Sequence, residues 1–525
     1  EICACLVGSE MCIRDRHQFF YTAICFGAKA NSLYGDEKSP VRIYHCHFAT
    51  SRSEKRITMK YIPKVFRTLT DEDYLNSAIE TANWLKTLEI KTEHGKIWKN
   101  FPDEQNGFGR DIMLFGPTNI YSGSAGIGIF FLRLYEATKD EKYLEEAKEA
   151  ANHIISIETS AKWYEDTLNS DIGGVIPVPG WAIGYSNGPM GQALFLDDIY
   201  HVTGEEKYKN YVIKVADDLL EAGKYTEEGL HWSNEEDVVA DGGFVFFLVQ
   251  VYEHFGDEKY LDAARKAADY IAKDALPAKN GGKYWKLLDL SLIGFEKETT
   301  FPGFSHGTAG TAWMFAIIYK ATKDERYLEL AREGAKYLEG IAVGDEEAAL
   351  IPYQDHPVTG PTNDKFYLGT CHGPAGHTLL FRILYEITGE EEYKDWMIRI
   401  SRGTIRAGAP ERFSWGFWNA QCQCCGTAGI LEHFVHMYEF TGEKEFLDYA
   451  RRTARVLISD SSVSDEEPDK RKWYGAWTRT IPDKVVSYAG LYVGSAGCAS
   501  ALLSLYAVDK AIKLTQLFEY AHFDS

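Results

Sequence analysis

Between residues 121 and 506 the chain alternates two kinds of apolar pattern. The first is a run that is hydrophobic on nearly every side, as from Ile127 to Tyr135. The second is a stripe at Leu144, Ala147, Ala150, Ala151 and Ile154, set against Glu145, Glu146, Lys148 and Glu149. A run apolar all round predicts a helix buried on most sides, and a stripe recurring about every 3.6 residues predicts an amphipathic helix with one wet face. The short polar turn TKDE separates the two, so each unit reads as a hairpin of an inner and an outer helix. The turn recurs in TGEEKY, FGDEKY, TKDERY, TGEEEY and TGEKEF, each closing on an aromatic residue predicted to wedge the hairpin.

Each inner run opens on a Gly-x-x-Gly step nine residues ahead of a tyrosine. The second glycines are Gly126, Gly191, Gly243, Gly310, Gly376, Gly429 and Gly497, and only the third copy departs, with Ala240 in place of its first glycine. Seven such units are read as one closed body rather than the several domains that 525 residues alone would suggest. Glycines at helix starts permit close backbone approach and unusual dihedral angles. Second glycines are 52 to 68 residues apart, so the variable length belongs to the loops that lead into the inner helices, at one end of the molecule. An inner helix apolar on nearly all sides favours a ring over an open solenoid, which would leave one flank wet. The predicted fold is all-α: an α/α toroid of seven helical hairpins with every glycine step at one pole and the repeat tyrosines in the core. A helical segment from Asp73 to about Leu88 is expected beside the last unit, and a weaker outer helix is read near Lys510 to Tyr520.

Composition narrows the function. The net charge of −21 argues against a nucleic-acid or anionic-membrane partner, and no run of about 18 apolar residues supports a transmembrane helix. Five cysteines fall in the first 46 residues, and Cys371, Cys422, Cys424 and Cys425 cluster later, with Cys498 alone. That distribution is unlike a secreted disulfide framework and points to a metal or catalytic site in a reducing, cytoplasmic setting. Residues 1–58 lack the helical periodicity, and CLVGSEMCIRDR resembles read-through of a sequencing adaptor. They are expected to be an artefactual or disordered leader ahead of Met59, with residues 59–525 as the single toroid domain and the His45-Cys46-His47 triplet as a decoy.

The residues just before each first glycine break the symmetry: Tyr121-Ser122, Ser186-Asn187, Val238-Val239, Ser305-His306, Cys371-His372, Cys424-Cys425 and Tyr492-Val493. Packed helices lie about 8–10 Å apart, so neighbouring units can direct side chains to one ion. Cys371, Cys424 and Cys425 therefore form a candidate three-thiolate zinc (Zn2+) site with one coordination position open, as a catalytic zinc requires. Cys422 stands nearby as a spare thiol, His377 inside its helix reads as structural, and Trp415, Phe417 and Trp418 either line a peptide groove or pack a loop.

The succession SHGTAG, TCHGPAG and CCGTAG on a sevenfold glycine repeat resembles the lanthionine synthetase C-like cyclase family from about residue 70 to 510. The resemblance implies a catalytic histidine at His306 and zinc ligands at Cys371 and Cys424. Where the family usually has Cys-His-Gly this chain has Cys-Cys-Gly, so Cys425 takes the place of the third ligand; His372, grouped with the catalytic residues, is the alternative for that role. Asp237 resembles an aspartate found near the same site in the family.

The implied reaction is addition of a peptide cysteine to dehydroalanine or dehydrobutyrine, giving the thioethers of lanthipeptides, with His306 as general acid/base. The implied partners are a dehydrated precursor peptide and a separate dehydratase. Intermolecular addition of glutathione or a similar thiol to dehydroamino acids is the alternative in the same fold. Carbohydrate processing, which α/α toroids also host, would call for paired carboxylates or histidines rather than a thiol cluster. A non-catalytic scaffold with structural zinc would leave the open position and His306 unused.

Overall fold

The computed structural model describes residues 68–102, 116–172, 176–286, 299–356, 365–412, 414, 418–477 and 481–523. The proposed leader 1–58 with its His-Cys-His triplet, Met59, Trp415 and Phe417 lie outside them. Among the described residues no helix is long and apolar enough to cross a membrane.

Helix α1 spans Asp71–Lys86. The inner helices follow as α2 (Ser124–Thr138), α5 (Pro189–Thr203), α7 (Asp241–Phe255), α9 (Thr308–Thr322), α11 (Pro374–Thr388), α13 (Thr427–Thr441) and α15 (Ser495–Lys510). Their outer partners are α3 (Glu141–Ile155), α6 (Glu206–Ala222), α8 (Glu258–Ala272), α10 (Glu325–Ile341), α12 (Glu391–Ala407) and α14 (Lys444–Asp460). A short helix, α4 (Ala161–Leu168), precedes the second unit. The ring closes where α15 packs on α2, and its outer partner is α1, brought from the other end of the repeat. The seventh hairpin is thus assembled from two distant segments, and the residues after Lys510 do not form the outer helix read from the sequence.

The turn aromatics wedge the hairpins as expected: Tyr143, Tyr208, Tyr260, Tyr327, Tyr393 and Phe446 are all buried. The repeat tyrosines are not core residues. They are half-buried at the ends of the inner helices, where several hydroxyls donate to a glutamate six residues on, as Tyr252 to Glu258 at 3.2 Å and Tyr385 to Glu391 at 3.2 Å.

The first glycine of each step, or Ala240 in the third unit, caps its inner helix. The second glycine answers a steric need. A Cβ on Gly376 would lie 2.1 Å from the Thr370 carbonyl oxygen, and one on Gly191 1.9 Å from that of Tyr185. None of the second glycines has a positive φ, so close approach alone, and not an unusual dihedral, requires them. Short antiparallel ribbons and one three-stranded sheet (Ser461–Val463, Arg471–Trp477, Ile481–Ser487) occupy the connecting loops.

Candidate active site

The loops entering the inner helices are tied together by main-chain hydrogen bonds. The Ser305 N–H donates to the Cys371 carbonyl at 2.9 Å, Thr370 to Cys424 at 2.9 Å, Cys424 to Tyr492 at 3.0 Å, Tyr492 to Tyr121 at 2.9 Å and Tyr121 to Ser186 at 3.3 Å. Each bond joins one unit to the next. The belt therefore sets Cys371, Cys424, Tyr492 and Tyr121 at one level around the glycine-step pole.

Cys371, Cys424 and Cys425 converge there with their sulfurs within 4.8 Å of one another, all buried. The Cys371 and Cys425 sulfurs are 3.9 Å apart. Tetrahedral zinc with zinc–sulfur bonds of about 2.3 Å holds its sulfurs about 3.8 Å apart, whereas a disulfide needs about 2.05 Å. The three donors thus fit a thiolate-bound ion. Burial, followed by Cys424 and Cys425, pushes the Cys371 thiol well above its ordinary range. At Cys424 the neighbouring Cys371 acts downwards but is outweighed by Cys425 and burial. Such a cluster needs a cation before its members ionise together.

His306 and Asp237 meet beside the thiols, His306 Nδ1 lying 3.4 Å from Asp237 Oδ2. Burial holds the imidazole at about pKa 3 and pushes the carboxyl well above the usual range. Asp237 also accepts from the Val239 N–H at 3.2 Å, while His306 Nε2 makes no hydrogen bond among the described residues.

His372 is not part of the three-donor group. Its ring stands 5.7 Å from that of His306 and packs against Phe301, Tyr353 and Tyr367 at 5.5, 5.2 and 5.8 Å. A Cβ at residue 303 would lie 2.4 Å from His372 Nδ1, so Gly303 makes room for the ring. Cys422 is buried against Cys425, whose sulfur, with burial, raises its pKa. Among the described residues His377 has no hydrogen-bond partner at either ring nitrogen. Trp418 packs a loop, donating from Nε1 to the Arg412 carbonyl at 2.7 Å.

Two residues of this belt escaped the sequence reading, Tyr121 and Tyr492. They occupy the same position before the step as Cys371 and Cys424, which was a usable signal.

Residues 115–518 match the family model described as lanthionine synthetase C-like protein. The chain belongs to that family. The toroid of this lanthionine synthetase C-like chain is similar to nisin cyclase, with a TM-score of 0.51 and 16% identity over 76% of this chain and 91% of that one. It also resembles a family 76 glycoside hydrolase (mannosidase) from Bacteroides thetaiotaomicron, with a TM-score of 0.44 and 14% identity over 84% and 99% of the two chains. Cellobiose 2-epimerase from Spirochaeta thermophila matches with a TM-score of 0.43 and 15% identity over 67% and 97%. At these identities the likeness is one of fold.

Proposed function

We propose that this protein adds a thiol to dehydroalanine or dehydrobutyrine to form a thioether, at a zinc site made by Cys371, Cys424 and Cys425. The observation that carries the proposal is the meeting of three buried thiols, set at zinc-like spacing, with the His306–Asp237 pair. Membership of the lanthionine synthetase C-like family supports a cyclase. The name of the similar nisin cyclase supports a peptide as the molecule carrying both thiol and alkene. All described cysteines are free, as a three-thiolate site requires.

When bound, zinc supplies acidification of an incoming thiol, so that thiolate exists near neutral pH. The protein's own groups do the rest. His306, neutral because it is buried, has Nδ1 committed to Asp237 and leaves Nε2 to accept the S–H proton. The sulfur bonds to the alkene β-carbon, and the electron pair of the double bond moves towards the neighbouring carbonyl. His306 then returns the proton to the α-carbon, so one S–H and one C=C become one C–S and one C–H. The burial of all these groups keeps water from competing. His372, held among three aromatic rings, is assigned to orient His306 from its other side.

The test is zinc content of the purified protein beside Cys371→Ala, Cys424→Ala, Cys425→Ala and His372→Ala. We expect about one equivalent in the parent and in the histidine variant, and loss in each cysteine variant. The parent should then join glutathione, or an internal cysteine, to a dehydroalanine peptide, read by mass. A parent that binds no zinc under reducing conditions would sink the proposal.

A further inference from the structure

The thiols gather where the inner helices begin; a second group of donors gathers near their far ends. Asp197 and His201 lie four residues apart on α5, and Gln250 and His254 lie four residues apart on α7. Residues at that spacing share one face of a helix, and here the two faces meet. His201 is twelve residues, about 18 Å, along the axis from the first residue of α5. The meeting point therefore belongs to the pole opposite the glycine steps. These residues break the repeat as the cysteines do. Counted from the second glycine, His254 stands where the other six units carry Ala137, Val202, Ala321, Ile387, Phe440 and Val508. Asp197 stands where five of the other six carry leucine, valine or alanine. A carboxylate that is 3% exposed is costly in such a place unless a cation sits beside it. Among the described residues no lysine or arginine pairs with Asp197.

What converges on Asp197 is imidazole. His254 Nδ1 lies 2.7 Å from its Oδ2, and His201 Nδ1 lies 3.3 Å from its Oδ1. The two rings stand 4.6 Å apart at an interplanar angle of 65°. Gln250 Nε2 donates to Oδ2 at 2.7 Å and fixes the orientation of the carboxylate, as groups behind a metal-bound carboxylate do. Oδ1 is buried and accepts no hydrogen bond among the described residues, because the His201 N–H is directed at the Asp197 main-chain carbonyl, 2.9 Å away. One donor atom from each of Asp197, His201 and His254 falls within 4.8 Å of the other two. Metal–nitrogen and metal–oxygen bonds of about 2.0–2.1 Å set neighbouring ligands about 2.9 Å apart in an octahedron and about 3.3 Å apart in a tetrahedron. The separations of 2.7 and 3.3 Å lie within about 0.2 Å of those edges.

We propose that Asp197, His201 and His254 form a second metal site, for a divalent first-row transition ion, which joins the second inner helix to the third. Two imidazoles and a carboxylate are a donor set that such ions take. The ion enters by replacing the two Nδ1 protons, which pass to Nε2 or to water. The rings allow this because their side chains are 51% and 33% exposed, and the same opening leaves coordination positions for solvent. A half-open set of this kind holds an ion less tightly than three buried thiolates. Protein purified without added metal therefore keeps the thiol-bound ion alone, and the second site fills on titration.

The experiment is equilibrium dialysis of the full chain against cobalt(II), with absorption spectra to tell sulfur ligands from nitrogen and oxygen. Two equivalents are expected, one with a sulfur-to-metal charge-transfer band and one with ligand-field absorption alone. His201→Ala and His254→Ala, both at positions open to water, should each weaken the second equivalent by roughly tenfold or more and leave the sulfur band intact. Cys371→Ala should lose the band and keep the second equivalent. A parent that binds only the sulfur-ligated ion overturns the inference. So does a second ion that survives both histidine variants, which is adventitious binding to surface groups. A parent without the sulfur band that still loses an equivalent in the histidine variants fails the function proposed above and leaves this site standing; a parent that binds no cobalt overturns both.

Discussion

Asp237 and His306 are nearly closed to water, at 3% and 1% exposure, and burial drives the imidazole towards its neutral form. The contact between them, 3.4 Å from Nδ1 to Oδ2, decides which ring nitrogen is left for chemistry. Asparagine at 237 can turn its amide nitrogen to Nδ1 and donate, which moves the ring proton to Nε2 and removes the base. Asp237→Asn is therefore expected to keep its zinc and lose about a hundredfold in kcat for thiol addition. Unchanged turnover with zinc in place would contradict the role given to Asp237.

The glycine steps and the hairpin turns place glycine under different constraints. Gly376 faces the Thr370 carbonyl, where a Cβ would come to 2.1 Å, and the Phe304 side chain at 2.5 Å. Thr370 precedes Cys371 and donates to the Cys424 carbonyl, so any yielding there moves two candidate ligands. Gly204, in the turn after α5, has φ +68° and open space around it. Gly376→Ala is expected to lower stability by about 1–3 kcal/mol and to lose zinc. Gly204→Ala should cost only about 1–2 kcal/mol of left-handed strain and keep its metal. Urea unfolding with metal analysis separates the two. The same contrast shows what was legible in the sequence. Inner and outer helices were readable because each hairpin sets its own apolar period, and Cys371, Cys424, Cys425 and His306 because they interrupt a regular register. The segment after Lys510 was misread because Leu514, Leu517 and Phe518 fall at helical spacing. Only the arrival of α1 from over 400 residues away deprives them of an outer berth, and local pattern carries no trace of that.

Across the whole molecule, buried titratable groups set the acid response. Burial holds His306, His377, His433 and His522 at about pKa 3, below the 6.5 of an ordinary histidine. The unfolded chain takes up these protons first, so each histidine removes about 1.4 kcal/mol of stability per pH unit as pH falls from about 6.5 towards 3. Burial raises Glu236 to about 8 and Glu339 and Glu519 to about 7. Those folded carboxyls keep protons that the unfolded chain has lost, so they gain stability as pH falls through 7 and stop gaining below about 4.5. Three carboxyls offset most of the loss from four histidines between about pH 6.5 and 4.5, leaving about one group's worth, about 1.4 kcal/mol per unit, and the loss steepens beneath it. The urea midpoint should fall gently across the first interval and steeply in the second; an equal slope in both would contradict this. The belt of bonds around the glycine-step pole has a different consequence. Its donors and acceptors are all main-chain atoms, although the residues that carry them include two cysteines and two tyrosines. The pole is thus a set of fixed seats indifferent to their occupants, and its reactive groups can be exchanged one at a time without the ring having to be solved anew.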